Sequence, residues 1–151
     1  MIRILNKTDS ILLLENNYIG NLAYIFRNQP FIAPITYYFD KEQHIIIGYS
    51  AEGHKITAMR KCNSVSLHVG EIESVNNWKS ILVHGTYQEL TGTDAKAQLH
   101  NFSTGVKHII TIKKHKELDF ISQFSSKIYK NDIPIVFIIK IEQITGRIRQ
   151  I

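Results

Sequence analysis

A chain of 151 residues is long enough for one domain with a sizeable core, and 44% hydrophobic against 21% charged residues excludes intrinsic disorder. The formal charge of +5, from 18 Lys+Arg against 13 Asp+Glu, favours anionic ligands. The cations are spread along the chain, with one mild cluster at Lys113, Lys114 and Lys116, so nucleic acid is not an expected partner. The longest apolar runs are strand-sized, which excludes a membrane partner reached through a helical span. The opening MIRILNKTDS lacks signal-peptide architecture, making a cytoplasmic location the expectation, and the lone Cys62 excludes an internal disulfide and a cysteine-rich metal site.

Thr8 or Asp9 is a candidate cap for a short helix through Leu14 that stops near Asn16 and Asn17. YIGNLAYIF follows as a strand, in which Gly20 marks a bulge or the close approach of another group. Asn28, Gln29 and Pro30 make a turn into FIAPITYYF. Pro34 cannot donate a ladder hydrogen bond, so this second strand belongs at an edge or a bulge. DKEQ at 40–43 is a hairpin turn into HIIIGYS. Residues 53–61 fit a two-turn helix with Ile56, Ala58 and Met59 facing inward.

Residues 65–69 alternate as a strand with one wet face, 71–77 form a polar loop, and 78–90 form a long strand. Thr93 or Asp94 caps a helix through Leu99 and Phe102. A loop and then a helix carrying Leu118, Ile121, Phe124 and Ile128 fill 103–132. IPIVFIIKIEQI is the closing buried strand and TGRIRQI the tail. Around six short strands, joined mostly by hairpins, predict a mainly β (α+β) single domain over 1–151, a small antiparallel barrel rather than a parallel sheet. No strand–GxGxxG–helix unit is present, which excludes a Rossmann site.

The chemistry concentrates at 44–90. Ser50 ends an apolar strand, Gly53 turns the chain, and His54 and Lys55 open the helix; Trp78 and Ser80 begin a later strand. Hydroxyls, helix-start N–H groups and a fixed cation together make a phosphate cradle. The seven histidines show neither HxxxH nor HExxH spacing, so no metal site is expected.

Five segments, IGNLAY, QPFIAPITYYFD, GYSAEGHKITAMR, NWKSILVHGTYQEL and IEQITGR, fall in order over roughly residues 18–90 and 134–147. In this pattern the chain resembles the split-barrel flavin-binding proteins related to pyridoxamine 5'-phosphate oxidase, and within them the nitroimidazole-resistance (Nim-like) branch. The resemblance implies a six-stranded antiparallel split β-barrel with short flanking helices. It also implies a homodimer holding flavin mononucleotide (FMN) in a groove at each subunit interface. Pro34, Ile35, Thr36 and Tyr37 match the strand whose backbone runs beside the isoalloxazine ring. Tyr49 and Ser50 match the strand end near the ribityl chain and phosphate. His54 and Lys55 match a basic pair that holds the phosphate, and Ser80 matches a polar residue near the flavin, with Trp78 flanking it.

The chain departs from the family pattern at several points. His-Lys replaces the more usual Arg-Lys, Cys62-Asn63 replaces a common Asn-Pro, and Gly48-Tyr49 stands where Nim-like proteins often carry a histidine. The substrate-phosphate residues of the true oxidase are not recognisable, so that activity is not expected. The implied function is an FMN-dependent oxidoreductase of the nitroreductase type. It would pass electrons from a donor such as NAD(P)H to a small-molecule acceptor such as a nitroaromatic ring, with Tyr49 the candidate catalytic proton donor. The alternative is a non-catalytic flavin- or haem-binding carrier or sensor; haem calls for an axial ligand, for which His68 or His84 is the candidate.

Overall fold

The computed structural model describes residues 1–113 and 134–151. In chain order its elements are β1 (Ile2–Ile4), α1 (Lys7–Glu15), β2 (Ile19–Phe26), β3 (Gln29–Thr36), β4 (Tyr38–Asp40), β5 (Ile45–Ser50), α2 (His54–Lys61), β6 (Ser64–Ser74), β7 (Asn77–Leu90), α3 (Gly92–Lys113) and β8 (Ile135–Arg149). The strands form one antiparallel sheet in the order β3-β2-β6-β7-β8-β5-β4, with β1 also on β8. Six of the strands are those expected from sequence, except that the single strand expected over FIAPITYYF is split at Tyr37 into β3 and the three-residue β4; β1, also three residues, is too short to show a period.

Local chemistry explains most boundaries. Asn6, not Thr8 or Asp9, caps α1, because its side-chain oxygen accepts the Asp9 N–H at 2.8 Å. The β2–β3 turn is two residues long, Arg27 and Asn28 at φ 50° and 63°, the left-handed pair that a primed hairpin turn requires. Gln29 and Pro30 therefore belong to β3 rather than to the turn. Since β3 is the edge strand, the missing N–H groups of Pro30 and Pro34 cost no ladder bond on the outer side. Gly20 marks a close approach and not a bulge: a Cβ there would sit 2.9 Å from Leu67 Cδ1, while the β2–β3 register runs unbroken.

Three expectations fail by length. Residues 71–77 are not a loop, since β6 and β7 continue as a hairpin to Ser74 and from Asn77. Residues there are exposed on both faces, so no apolar alternation announced the strands. The tail is also strand: β8 runs 15 residues to Arg149. Finally α3 begins at Gly92, placing Thr93 and Asp94 inside its first turn, and runs 22 residues to Lys113. The expected loop from 103 is thus helical to 113, while the expected helix with Leu118, Ile121, Phe124 and Ile128 lies outside the described residues.

β8 determines the shape. One of its edges pairs with β7 along its length, whereas the other meets β5 over 135–140 and β1 only at 147–149. The inner faces of the strands, with α1 and α2, enclose a core that includes Leu14, Leu22, Tyr37, Ile56, Met59, Leu67 and Phe137. A second cluster forms where Phe102, Val106 and Ile110 of α3 cover β5 and the start of β8. Ile56 is fully buried and fastens the helix that carries Lys55. Ile56→Ala is expected to cost about 2–5 kcal/mol by urea unfolding, the range for emptying a closed aliphatic site.

Candidate functional site

No ladder joins β3 to β5 among the described residues. β4 covers the edge of β5 only at 45–47, so residues 48–50 present a bare edge toward 34–36 of β3. A cavity of about 220 Å³ occupies this seam, lined by Pro34, Ile35, Thr36, Tyr49, Ser50 and Lys55. Those are six of the ten residues the sequence singled out. The volume suits a phosphate and part of a chain, below the usual size of a pocket that swallows a whole ligand.

The cavity fits an anionic group on its own chemistry. α2 starts at Gly53 without a side-chain cap or an acidic residue in its first turn, and its first backbone bond is Thr57 N–H to Gly53 O. The N–H groups ahead of Thr57 therefore have no intrahelical acceptor. Lys55, half-buried beside them, is a cation at the positive end of the helix dipole, an arrangement that an anion relieves. The Ser50 hydroxyl is buried and donates to Ala51 O at 2.9 Å. Tyr49 lines the cavity and packs edge-on against Phe102; burial pushes its phenol pKa up, so it stays protonated and can donate a hydrogen bond at neutral pH.

The other four residues lie elsewhere. Tyr37 has no exposed surface, and its hydroxyl donates to Leu14 O at 2.8 Å, tying β3 to the end of α1. Its side chain is core, because alternation along the strand turns it opposite to Thr36. His54 turns away from Lys55 onto the β2–β3 hairpin, its ring 4.8 Å from Phe31 and 4.9 Å from Phe26 with Nδ1 3.1 Å from the Tyr24 hydroxyl. It anchors α2 rather than lining the cavity. Trp78 and Ser80 sit near the opposite end of β7. Ser80 Oγ is 3.0 Å from His68 Nε2, and Trp78 lines a separate hollow with Glu71, Glu73 and Lys79. His84 pairs with Ser66 at 2.7 Å, so both histidines considered for haem engage serines. Cys62 ends α2, half-buried, and does not line the cavity.

Sequence reasoning missed Arg60. It binds Glu52 and Glu89 through two hydrogen bonds each, the closest at 2.8 Å, and Tyr87 adds its hydroxyl to Glu89. This clamp joins the 51–53 loop, the helix and the end of β7. Larger hollows exist, one of about 370 Å³ between α3 and the start of β8 and one of about 540 Å³ where β8 leaves β5 before meeting β1. Neither contains any of the ten residues. No group of three or more potential ligands could hold a metal ion among the described residues. No described helix is long and apolar enough to cross a membrane.

The architecture is that of the split β-barrel, and comparison with known proteins narrows it further. The family model described as pyridoxamine 5'-phosphate oxidase matches residues 6–148, and the chain belongs to that family. A protein of Rhizobium meliloti, uncharacterised RA0666, is 34% identical over 92 residues, a stretch covering 61% of this chain and 60% of that one. The crystal structure of an FAD-binding protein from Mesorhizobium loti superposes with a TM-score of 0.77 at 26% identity, covering 100% of this chain and 98% of that one. A 5-nitroimidazole antibiotic resistance candidate from Bacteroides thetaiotaomicron gives 0.72 at 12% identity over 98% and 87% of the two chains, a likeness of fold.

The Arg60 clamp makes acid stability testable. Hydrogen bonds from Arg60 hold the Glu89 carboxyl below its ordinary pKa, against the opposing effect of burial. A carboxylate lowered in the folded state stabilises above its unfolded pKa, and that contribution is lost as pH falls through the folded value. Glu89→Gln is therefore expected to melt a few degrees below the parent at neutral pH, since the pair is partly exposed. The gap should close below roughly pH 4, as followed by thermal melts across pH.

Proposed function

We propose that this protein is an FMN-binding flavoprotein whose cofactor phosphate docks in the β3–β5 seam. The observation that carries the reading is the uncapped start of α2 with Lys55 beside it, opening into the cavity of Pro34, Thr36 and Ser50. Family membership and likeness to an FAD-binding protein support a flavin as the ligand. FMN is favoured over the dinucleotide because one phosphate-sized cavity adjoins one helix start. The flavin, when bound, supplies the redox chemistry; the chain supplies binding, orientation and a shielded pocket. Lys55 and the α2 N–H groups hold the phosphate. Thr36 and Ser50 flank it, and Tyr49 offers a protonated phenol. The natural reaction is proposed to be electron transfer from NAD(P)H to a small oxidised acceptor, a nitroaromatic ring being the model substrate.

The active form is proposed to be a homodimer. Ile32 is 72% exposed, Ile72 70%, Ile19 56% and Ile25 43%, all on the outward face of β2, β3 and β6. Monomeric proteins rarely leave so many large apolar side chains uncovered on one face. A second copy would bury it and roof the seam, placing the ring at the interface.

Protein purified without added cofactor is expected to be yellow and to release FMN on denaturation, identified by mass spectrometry. Lys55→Ala should weaken FMN about 10- to 100-fold, the loss of one charge-assisted bond, and leave riboflavin affinity nearly unchanged. Equal loss of both ligands would remove Lys55 from the phosphate site. A Soret band in place of flavin absorption would favour the haem carrier. Ile32→Glu is expected to shift the mass seen by light scattering from dimer to monomer, with flavin lost in parallel. Bleaching by NAD(P)H and recovery with a nitroaromatic compound distinguish an enzyme from a carrier.

A further inference from the structure

The edge of β8 that faces β5 and β1 has a gap. β5 pairs with it up to Lys140 and β1 takes over at Arg147, so among the described residues no ladder covers 141–146 on that side. The gap opens into the hollow of about 540 Å³, a volume typical of ligand pockets, which shares no lining residue with the seam cavity.

Strand geometry identifies the bare groups. The N–H and C=O of one strand residue point to the same edge, and successive residues alternate. Gly146 O accepts the Leu5 N–H at 3.0 Å, so Gly146 and, two residues back, Ile144 aim both groups at this edge rather than at β7. The Gly146 carbonyl is thereby answered, whereas its N–H and both groups of Ile144 face the hollow. The β7–β8 register slips between His84 and Gly85, which leaves Glu142 with no opposite residue, a bulge that bends the strand beside the gap. Gly146 is buried and Ile144 half-buried, so their polar backbone depends on whatever fills the hollow.

The walls restrict the occupant. Leu5, Ile141 and Ile144 supply an apolar lining, and the titratable or charged groups are Lys7, His44, Glu142 and Arg147. Glu142 already accepts from the Thr86 hydroxyl, and the His44 ring stands edge-on to Phe39. Arg147 leans over the edge and donates to Gly146 O at 3.0 Å, with further N–H groups to offer. Lys7 is exposed at the start of α1. Two cations thus stand against one engaged carboxylate, which favours an anion. Residues 141–145, at about 3.3 Å each, span roughly 16 Å between the ends of β5 and β1. A strand running through would collide with Leu5 or with the turn before Ile45, whereas a chain end needs only one entrance.

We propose that this edge is a docking site for the free C-terminal end of a polypeptide, added to β8 as a short strand. Its amides answer Ile144 and Gly146, an apolar side chain packs on Leu5 and Ile141, and its terminal carboxylate meets Lys7 and Arg147. None of this depends on a flavin in the seam.

Isotope-labelled full-length chain, followed by amide NMR, is titrated with a pool of acetylated tripeptides bearing free carboxylates, then with the same pool amidated at its C-terminus. The free-carboxylate pool is expected to shift the Ile144 and Gly146 amide resonances and slow their hydrogen exchange, and amidation to weaken binding about tenfold. Lys7→Ala and Arg147→Ala should each weaken the free-carboxylate pool about three- to tenfold and leave the amidated pool unchanged. Flavin affinity should not move in Lys7→Ala. Thermal melts report folding, and the exposed Lys7→Ala serves if Arg147→Ala is unstable. Equal affinity for the two pools, or no shift on β8 at millimolar peptide, would overturn the proposal. The same shifts produced by N-acetylglycine alone would assign the hollow to small organic carboxylates and overturn the polypeptide occupant.

Discussion

The unsealed seam between β3 and β5 is the constraint from which the rest of the molecule follows. Closing the barrel would require β3 to form a second ladder, and Pro30 and Pro34 have no N–H to contribute to one. From the other side, β5 gives its edge to β4 over only three residues and leaves residues 48–50 bare on that edge. The chain then leaves β5 at Ser50 and starts α2 within four residues. A helix start, a bare strand end and a proline-bearing edge therefore converge on one small cavity. Polar backbone left unpaired in this way invites a ligand that can accept from it.

Electrostatics divides the work between two cations of α2. Arg60 sits in the last turn, where a positive charge suits the helix dipole, and is consumed by Glu52 and Glu89. Its exposure makes the clamp a modest contributor to stability, but its geometry holds the 51–53 loop against β7. Lys55 sits at the unfavourable end of the same helix, with its neighbour His54 folded into an aromatic cluster. The contrast explains how two adjacent basic residues take different parts. One fixes the position of the helix on the sheet, and the other is presented to the cavity.

Much of this was legible in the sequence where one physical signal dominated. Six strands, the inward triad of Ile56, Ala58 and Met59, and an edge strand marked by Pro34 all came from period and proline chemistry. The missed strand at 71–74 is exposed on both faces, and the tail carries Gly146, where a side chain would meet Ser10 and Leu5. Both therefore read as loop. In α3 the loop expected from 103 is instead helix packed on the sheet, where a Cβ at Gly105 would strike the Tyr38 ring. For the site, Pro34, Ile35, Thr36, Tyr49, Ser50 and Lys55 came together, while Tyr37, His54, Trp78 and Ser80 did not. Their placement depends on strand register and helix rotation, which a linear pattern does not encode.

The outward face joins these strands of argument. A sheet face covered only by another copy could be wholly apolar, as the isoleucines at 19, 25, 32 and 72 suggest. A face open to water could be wholly polar. Here exposed isoleucines share the face with the hydrogen-bonded Asn21, His68 and Ser80. Apolar surface favours exclusion of water, and the polar row then requires partners that water no longer supplies.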